Sequence, residues 1–146
     1  MIRAIVFLAF VAIATATPFK SCKNGLAPVY VDIPGCDSLP CKFIRGRDIA
    51  ADVDFLIDHT VSTLNTKVMA TSLGVTIEYP LPDPNACNGL TNSECPLKDG
   101  EEVIYHLEMP ILSIYPKVRV DLEFSFLDQN KQVVACFEVS GTVVDS

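Results

Sequence analysis

The sequence predicts an all-β protein, a sandwich of two antiparallel sheets, on three observations. Several segments alternate apolar and polar residues with the period of a strand, and no segment carries a helical heptad. Turn-forming residues divide these segments into about seven short strands, as is typical of a sandwich. Six cysteines follow an apolar N-terminal leader, which predicts a secreted framework held by disulfides.

The N-terminal residues have the features of an export signal. Arg3 precedes an apolar run over residues 5–13, and the run ends in Ala14-Thr15-Ala16, a small-x-small cleavage site. The run is shorter than the roughly 20 residues needed to span a bilayer. We therefore expect a signal peptide at residues 1–16 and a single exported domain at residues 17–146.

The acidic composition excludes some classes of partner. Eleven Lys and Arg oppose eighteen Asp and Glu, a formal net charge of −7, and loss of Arg3 with the leader would make the balance more acidic. Such a charge opposes sequence-independent attraction to nucleic acid and to anionic membranes. We expect no nucleic-acid partner, and we expect any membrane contact to be transient, local and largely apolar.

The spacing of the cysteines favours one disulfide pattern among the fifteen that six cysteines allow. Two pairs of cysteines bracket short polar loops and so look local, which leaves the first and last cysteines to pair. The favoured bridges are Cys36–Cys41, Cys87–Cys95 and Cys22–Cys136. This spacing does not suggest a CxxC redox pair or a zinc site, so we expect a structural role and no metal.

The clearest predicted strand covers residues 118–126, where apolar and polar side chains alternate. One face is apolar and the other polar, as in a sheet that is buried on one side. Residues 52–58 alternate in the same way, with aspartates on the outer face. A calcium site is the sharper interpretation of those aspartates, but without an EF-hand loop a solvated strand face is favoured. Further strands are predicted at residues 28–33, 66–73, 75–79, 102–109 and 133–144.

Prolines mark the points where sheet pairing must stop. Pro80, Pro82 and Pro84 follow one strand, and Pro110 and Pro116 interrupt the next two segments. Proline has no N–H to donate to a neighbouring strand, so these segments must leave the sheet. Large apolar residues therefore lie beside several places where the sheets end.

The sequence carries no recognisable catalytic motif. It lacks a nucleophile elbow, an H-E-x-x-H zinc motif and a Walker loop. His59 and His106 are far apart in sequence, and adjacent Glu101 and Glu102 would point to opposite faces of a strand. We therefore expect neither an enzyme nor a bound cofactor.

Several longer motifs resemble one known family, the ML lipid-recognition domain, over nearly the whole mature chain, and within it the Niemann-Pick C type-2 group in an arthropod-like form. The motifs are Cys36-Asp-Ser-Leu-Pro-Cys41, Tyr79-Pro80-Leu81-Pro82-Asp83-Pro84, Cys95-Pro96-Leu97, Met109-Pro110-Ile111, Ile114-Tyr115-Pro116 and Cys136-Phe137-Glu138-Val139. The resemblance implies an immunoglobulin-like sandwich with an apolar cavity between its sheets. It also implies the same three disulfides that the spacing favours.

The resemblance places the cavity mouth and upper pocket at Ile77, Tyr79, Pro110, Ile111, Tyr115 and Pro116. Alternation, independently of the family, predicts a deeper lining of Val53, Phe55, Ile57, Val75, Val118, Val120, Leu122 and Phe124. The alternative is that these deeper residues fill a dry core, as in an ordinary sandwich.

The function implied is that of a monomeric, secreted carrier of a sterol, fatty acid or similar lipid, extracellular or in the lysosomal lumen. The segment Val75-Thr76-Ile77-Glu78-Tyr79 lacks the extra prolines of vertebrate sterol carriers, which leaves lipids other than cholesterol open. Two alternatives share this fold: a recognition module that docks on a membrane receptor when loaded, and a chemosensory carrier of hydrophobic semiochemicals.

Overall fold

A computed structural model describes residues 5–6 and 16–146. The expected signal peptide at residues 1–16 lies almost entirely outside these residues and stays a prediction. In the described part, strands and one short 3-10 turn, Ala86–Gly89, make up the regular structure. No helix among the described residues is long and apolar enough to cross a membrane.

Nine strands are present within the described residues. In chain order they are β1 (Lys20–Ser21), β2 (Tyr30–Asp32), β3 (Cys41–Ile44), β4 (Asp48–Leu56), β5 (Asn65–Ser72), β6 (Val75–Tyr79), β7 (Glu102–Pro110), β8 (Arg119–Leu127) and β9 (Val133–Val144).

The strands form two sheets, which confirms the predicted sandwich. The larger sheet has the order β1-β9-β8-β5-β6, and β3 pairs with β9 outside this path. The smaller sheet has the order β2-β4-β7. Neighbouring strands are antiparallel except β3 and β9, which are parallel. Strand β6 is therefore an edge of the larger sheet, and β7 is an edge of the smaller one.

Most predicted strands are present, with shifted ends. The strand predicted at residues 28–33 covers only Tyr30–Asp32, because a Pro-Gly turn follows Ile33 and Pro28 cannot donate. The strand predicted at residues 52–58 begins earlier, at Asp48, because β4 pairs with β7 over nine residues. Strands β1 and β3 were not predicted, since two to four residues are too few to show a period.

All three expected disulfides are formed. The Cα atoms are 5.6 Å apart in Cys22–Cys136, 5.1 Å in Cys36–Cys41 and 5.7 Å in Cys87–Cys95. The first bridge joins residues 114 positions apart and fastens the segment after β1 to β9. Closing so long a loop removes more entropy from the unfolded chain than closing either short one.

Aromatic side chains fill one end of the space between the sheets. Phe55 of β4 stacks on Phe126 of β8 with ring centroids 4.7 Å apart, and Tyr105 meets the same ring edge-on. Phe124 stacks on Phe137 of β9 at 4.8 Å. All five side chains are buried, so this end, called the filled end below, is packed with aromatic rings.

Candidate ligand cavity between the sheets

The opposite end of the sandwich is hollow. A cavity of about 400 Å³ lies between the sheets, within the size range of small-molecule sites. Its wall is almost entirely hydrocarbon. The lining residues are Phe43, Ala70, Ser72, Val75, Ile77, Glu78, Tyr79, Pro80, Met109, Ile111, Tyr115, Pro116, Val118, Val120, Leu122 and Val143.

A change of side-chain size along single strands produces this hollow. Along β8, Val120 and Leu122 line the cavity, whereas Phe124, on the same face, lies in the filled end. The cross-strand partners follow the same gradient: Val120 is opposite Gly141, and Phe124 is opposite Phe137. The smaller side chains of β8 leave a gap between the sheets here, which the large rings close further along.

The mouth of the cavity lies between the edge strand β6 and the loop that joins β7 to β8. The Tyr79 hydroxyl of β6 donates to the Pro110 carbonyl of β7 at 2.6 Å, so one hydrogen bond links the two sheets there. The Tyr115 ring from the loop meets the Tyr79 ring edge-on, with centroids 6.4 Å apart. Burial, and then the neighbouring Tyr115 hydroxyl, raises the pKa of Tyr79, so this hydroxyl keeps its proton.

Exposed apolar side chains surround this mouth. Val75 and Ile77 line the cavity yet are each 63% exposed. Leu73, at the tip of the β5–β6 hairpin, is 92% exposed, and Ile114 of the β7–β8 loop is 82% exposed. We call these four residues the rim. Exposed apolar side chains grouped beside a ligand cavity are typical of an interaction surface.

Nine of the fourteen residues expected at the site lie around the cavity. They are Ile77, Tyr79, Ile111, Tyr115, Pro116, Val75, Val118, Val120 and Leu122. Pro110 does not contribute to the wall. Its carbonyl instead accepts the hydrogen bond from Tyr79.

Val53, Phe55, Ile57 and Phe124 were expected in the deeper lining and lie outside the cavity. Each of the four residues is at most 2% exposed to solvent. Phe55 and Phe124 are stacked in the filled end against Phe126 and Phe137. Strand alternation identifies which residues point inward, but it does not say whether the inward space is occupied.

Several lining residues were missed by the sequence analysis. Phe43 lies on β3, a strand that was not predicted. Ala70 and Val143 share the inward face of strands that were predicted, and Met109 lies beside the quoted Pro110 and Ile111. The alternation of inward and outward side chains along those strands could have identified Ala70 and Val143. The backbone or side chains of Ser72, Glu78 and Pro80 also reach the cavity, and no pattern indicated this.

The two histidines lie away from the cavity. His59 is within hydrogen-bond distance of Asp58 and Asp128, at 2.6 Å and 2.8 Å. His106 is similarly placed 2.8 Å from Asp52, on the outer face of the smaller sheet. Neither histidine is among the residues that line the cavity.

One group of described residues has the proximity of a metal site: Cys22, Glu123 and Cys136. Both sulfurs, however, are joined in a disulfide. A disulfide offers no thiolate to a metal ion. The group therefore does not fit a metal centre.

These features define a class of protein: a disulfide-stapled β-sandwich whose sheets separate at one end around an apolar, ligand-sized cavity. The chain belongs to the ML-domain family, since a sequence model described as the ML domain matches residues 16–143. The resemblance found in the sequence motifs is thereby confirmed.

Individual relatives extend this result. The chain is 30% identical over 140 residues to "NPC intracellular cholesterol transporter 2 homolog a" of Drosophila melanogaster, covering 92% of this chain and 93% of the relative. It is 26% identical over 139 residues to "NPC intracellular cholesterol transporter 2" of Bos taurus, covering 93% and 92%. A crystal structure of a Niemann-Pick type C2 protein from the Japanese carpenter ant superposes with a TM-score of 0.79 at 20% identity, covering 87% and 99% of the two chains. The structural likeness shows the shared fold.

Proposed function

We propose that this protein is a carrier that binds one apolar lipid, a sterol, fatty acid or similar molecule, in the cavity between its sheets. The observation that carries the proposal is the hydrocarbon-lined cavity of about 400 Å³ in a sandwich whose other end is packed solid. The Drosophila and bovine relatives, both named as cholesterol transporters, support the assignment.

The size of the cavity is consistent with useful affinity. A ligand that hides roughly 300 to 400 Å² of hydrocarbon gains about 8 to 10 kcal/mol from burial alone. Immobilising the ligand offsets part of this gain, which leaves affinity of roughly micromolar or better. Specificity would come from cavity length and from the few polar groups near the mouth, of which the Tyr115 hydroxyl is one.

Carriage requires no chemical step. The proposed mechanism is uptake of lipid at the mouth, shielding from water and release, so no catalytic group or cofactor takes part. A monomer suffices, because one chain forms the whole cavity wall. The leader at residues 1–16 supports export, with the extracellular fluid or the lysosomal lumen as the place of action.

The rim supports direct loading from a membrane. Leu73 and Ile114 project beside the mouth, and apolar side chains there can enter the bilayer surface while lipid passes into the cavity. Docking on a membrane receptor would use the same rim. Chemosensory carriage would use the same cavity with a different ligand, so passive lipid carriage is the mechanism that the carrier alternatives share.

A binding titration tests the proposal. Disulfide-intact protein is titrated with dehydroergosterol, a fluorescent sterol, and separately with cis-parinaric acid, a fluorescent fatty acid. Saturable binding of either at one molecule per chain is expected, and the comparison ranks the two ligand classes. If neither probe binds, the carrier function is wrong.

Two substitutions on one strand provide a matched pair. Val120→Phe adds a ring inside the cavity and is expected to weaken binding at least about tenfold while the fold persists. Phe124→Leu removes a ring from the filled end, so it is expected to lower stability by about 1 to 3 kcal/mol and to leave affinity within about twofold. Unchanged binding in Val120→Phe together with weakened binding in Phe124→Leu would show that the ligand does not occupy this cavity.

A further inference from the structure

Three charged side chains from separate segments meet beside the cavity mouth. Arg45 lies in the turn between β3 and β4, Lys117 in the β7–β8 loop, and Asp145 directly after β9. Arg45 donates from Nε to Asp145 Oδ1 at 2.7 Å, and its Nη2 is bonded to the same oxygen. Lys117 Nζ donates to Asp145 Oδ2 at 3.1 Å. One carboxylate thus connects the turn to the loop.

Arg45 also holds the loop backbone directly. Its Nη1 donates to the carbonyl of Tyr115 at 3.1 Å, so a single guanidinium spans Asp145 and the loop. The Arg45 side chain is only 24% exposed, which shows that its planar group is largely covered. The Tyr115 ring, in turn, lines the cavity and meets Tyr79 at the mouth. The charged network therefore acts on a residue that lies at the cavity mouth.

The rest of the β7–β8 loop is anchored at its two ends. At the start, the Ile111 amide donates to the Arg47 carbonyl at 2.9 Å. At the end, the Val118 carbonyl accepts from the Val143 amide at 3.0 Å. Between these anchors, Arg45 and Lys117 hold the loop to other parts of the described chain, and the Tyr115 side chain contacts Tyr79.

We propose that Arg45, Lys117 and Asp145 form an ionic latch that holds Tyr115 across the mouth and sets the rate at which lipid enters and leaves the cavity. A lipid passing the mouth must displace the Tyr115 ring and part it from Tyr79. Opening the loop between its two anchors requires the Arg45 and Lys117 bonds to break. This inference rests on the proposed lipid-carrier function and assigns positioning roles to residues outside the cavity wall.

The expected effect is on rates more than on affinity. The latch holds the mouth closed in both the empty and the loaded protein, so its loss speeds uptake and release together. Asp145 and Lys117 are more than half exposed, and ion pairs with exposed partners contribute little free energy, so we expect lipid uptake and release to become about three- to fivefold faster. The dissociation constant should stay within about twofold.

Stopped-flow fluorescence measures this directly. Release of dehydroergosterol or cis-parinaric acid is followed for the wild type, Arg45→Gln, Asp145→Asn and Lys117→Gln. The matched control is Arg47→Gln, which removes a positive charge from the same turn outside the network. The three latch variants should release probe faster, and the control should match the wild type. In about 1 M NaCl the wild type should approach the variants, because salt screens exposed charges.

A second readout does not depend on lipid. The Tyr115 amide donates to the Leu112 carbonyl within the loop at 3.1 Å. Its hydrogen exchange therefore reports loosening of the loop itself, and it should be faster in Arg45→Gln than in Arg47→Gln. Unchanged release rates and unchanged exchange in the latch variants would overturn the latch. If the wild type binds neither probe, the carrier function fails separately, and faster exchange in Arg45→Gln would still show that the network holds the loop.

Discussion

At Gly141 of β9, the ring of Phe43 packs directly on the backbone. A Cβ atom built at this position would lie 2.0 Å from Phe43 Cε2, far inside any real carbon contact. Phe43 is buried and forms part of the cavity wall. The absence of a side chain at one residue therefore positions a ring that shapes the ligand cavity.

The substitution Gly141→Ala is expected to destabilise the protein by about 1 to 3 kcal/mol, because Phe43 must move from its packed position. The ring borders the cavity, so its displacement should also reduce binding of the fluorescent sterol. Urea denaturation and the binding titration measure the two effects. Ser140→Ala, the neighbouring position, is the control and should change neither. Full stability in Gly141→Ala would show that Phe43 can relax at no cost.

At the level of the strand, alternation predicts orientation but not occupancy. Val120 and Phe124 share one face of β8, so the alternation pattern predicts the same environment for both. They differ because Phe124 meets Phe137 across the strand pair, whereas Val120 meets Gly141. Those partners depend on strand register, which no local pattern in β8 contains. For this reason the two ends of the sandwich were not distinguished from sequence.

The β5–β6 hairpin presents a leucine in an unfavourable position. Leu73 has a φ of +52° and Gly74 a φ of +76°, in a two-residue connection where Asn-Gly is the usual sequence. A left-handed conformation costs a leucine about 1 to 2 kcal/mol, and 92% exposure adds no compensating burial. In the proposed loading from a membrane, this exposed leucine would contact the lipid surface.

The substitution Leu73→Asn is expected to change the stability of the protein and its rate of lipid transfer in opposite directions. The free energy of unfolding should rise by about 0.5 to 1 kcal/mol, because asparagine tolerates the left-handed region better. Transfer of dehydroergosterol from phosphatidylcholine vesicles should slow by about fivefold, because an inserting side chain is lost.

The control for Leu73→Asn is Leu26→Asn. Leu26 is about half exposed and bridges to Ala135 beside Cys136, away from the mouth. Its substitution should leave the transfer rate unchanged. Equal transfer rates for Leu73→Asn and the wild type would show that the hairpin tip does not contact the membrane during transfer.

For the whole molecule, the features that depend on local sequence could be predicted, whereas those that depend on contacts between distant segments could not. Cysteine spacing and turn residues were enough to predict the three disulfides and the sandwich. The parallel pairing of β3 with β9 and the cavity of about 400 Å³ both depend on contacts between distant segments. The family resemblance placed the mouth because Tyr79 and Tyr115 carry recognisable motifs, whereas the deeper wall has only common aliphatic residues.

Two histidines link the stability of the molecule to pH. At the filled end, hydrogen bonds to Asp58 and then to the buried Asp128 raise the pKa of His59. On the smaller sheet, hydrogen bonds to Asp52 and then to Glu108 raise the pKa of His106. Both histidines therefore bind a proton more tightly in the folded chain than in the unfolded one, which makes the protonated form stabilising.

The stabilisation by a raised histidine pKa is complete below the unfolded value of about 6.5 and is lost as pH rises through the folded value. We therefore expect the free energy of unfolding to fall as the pH rises above about 6.5 and through the raised folded values of the two histidines. Urea denaturation at several pH values measures this slope. The double variant His59→Gln, His106→Gln should be nearly flat over the same range, with each single variant intermediate. A wild-type slope of the opposite sign would show that loss of the proton, and not its binding, stabilises the fold.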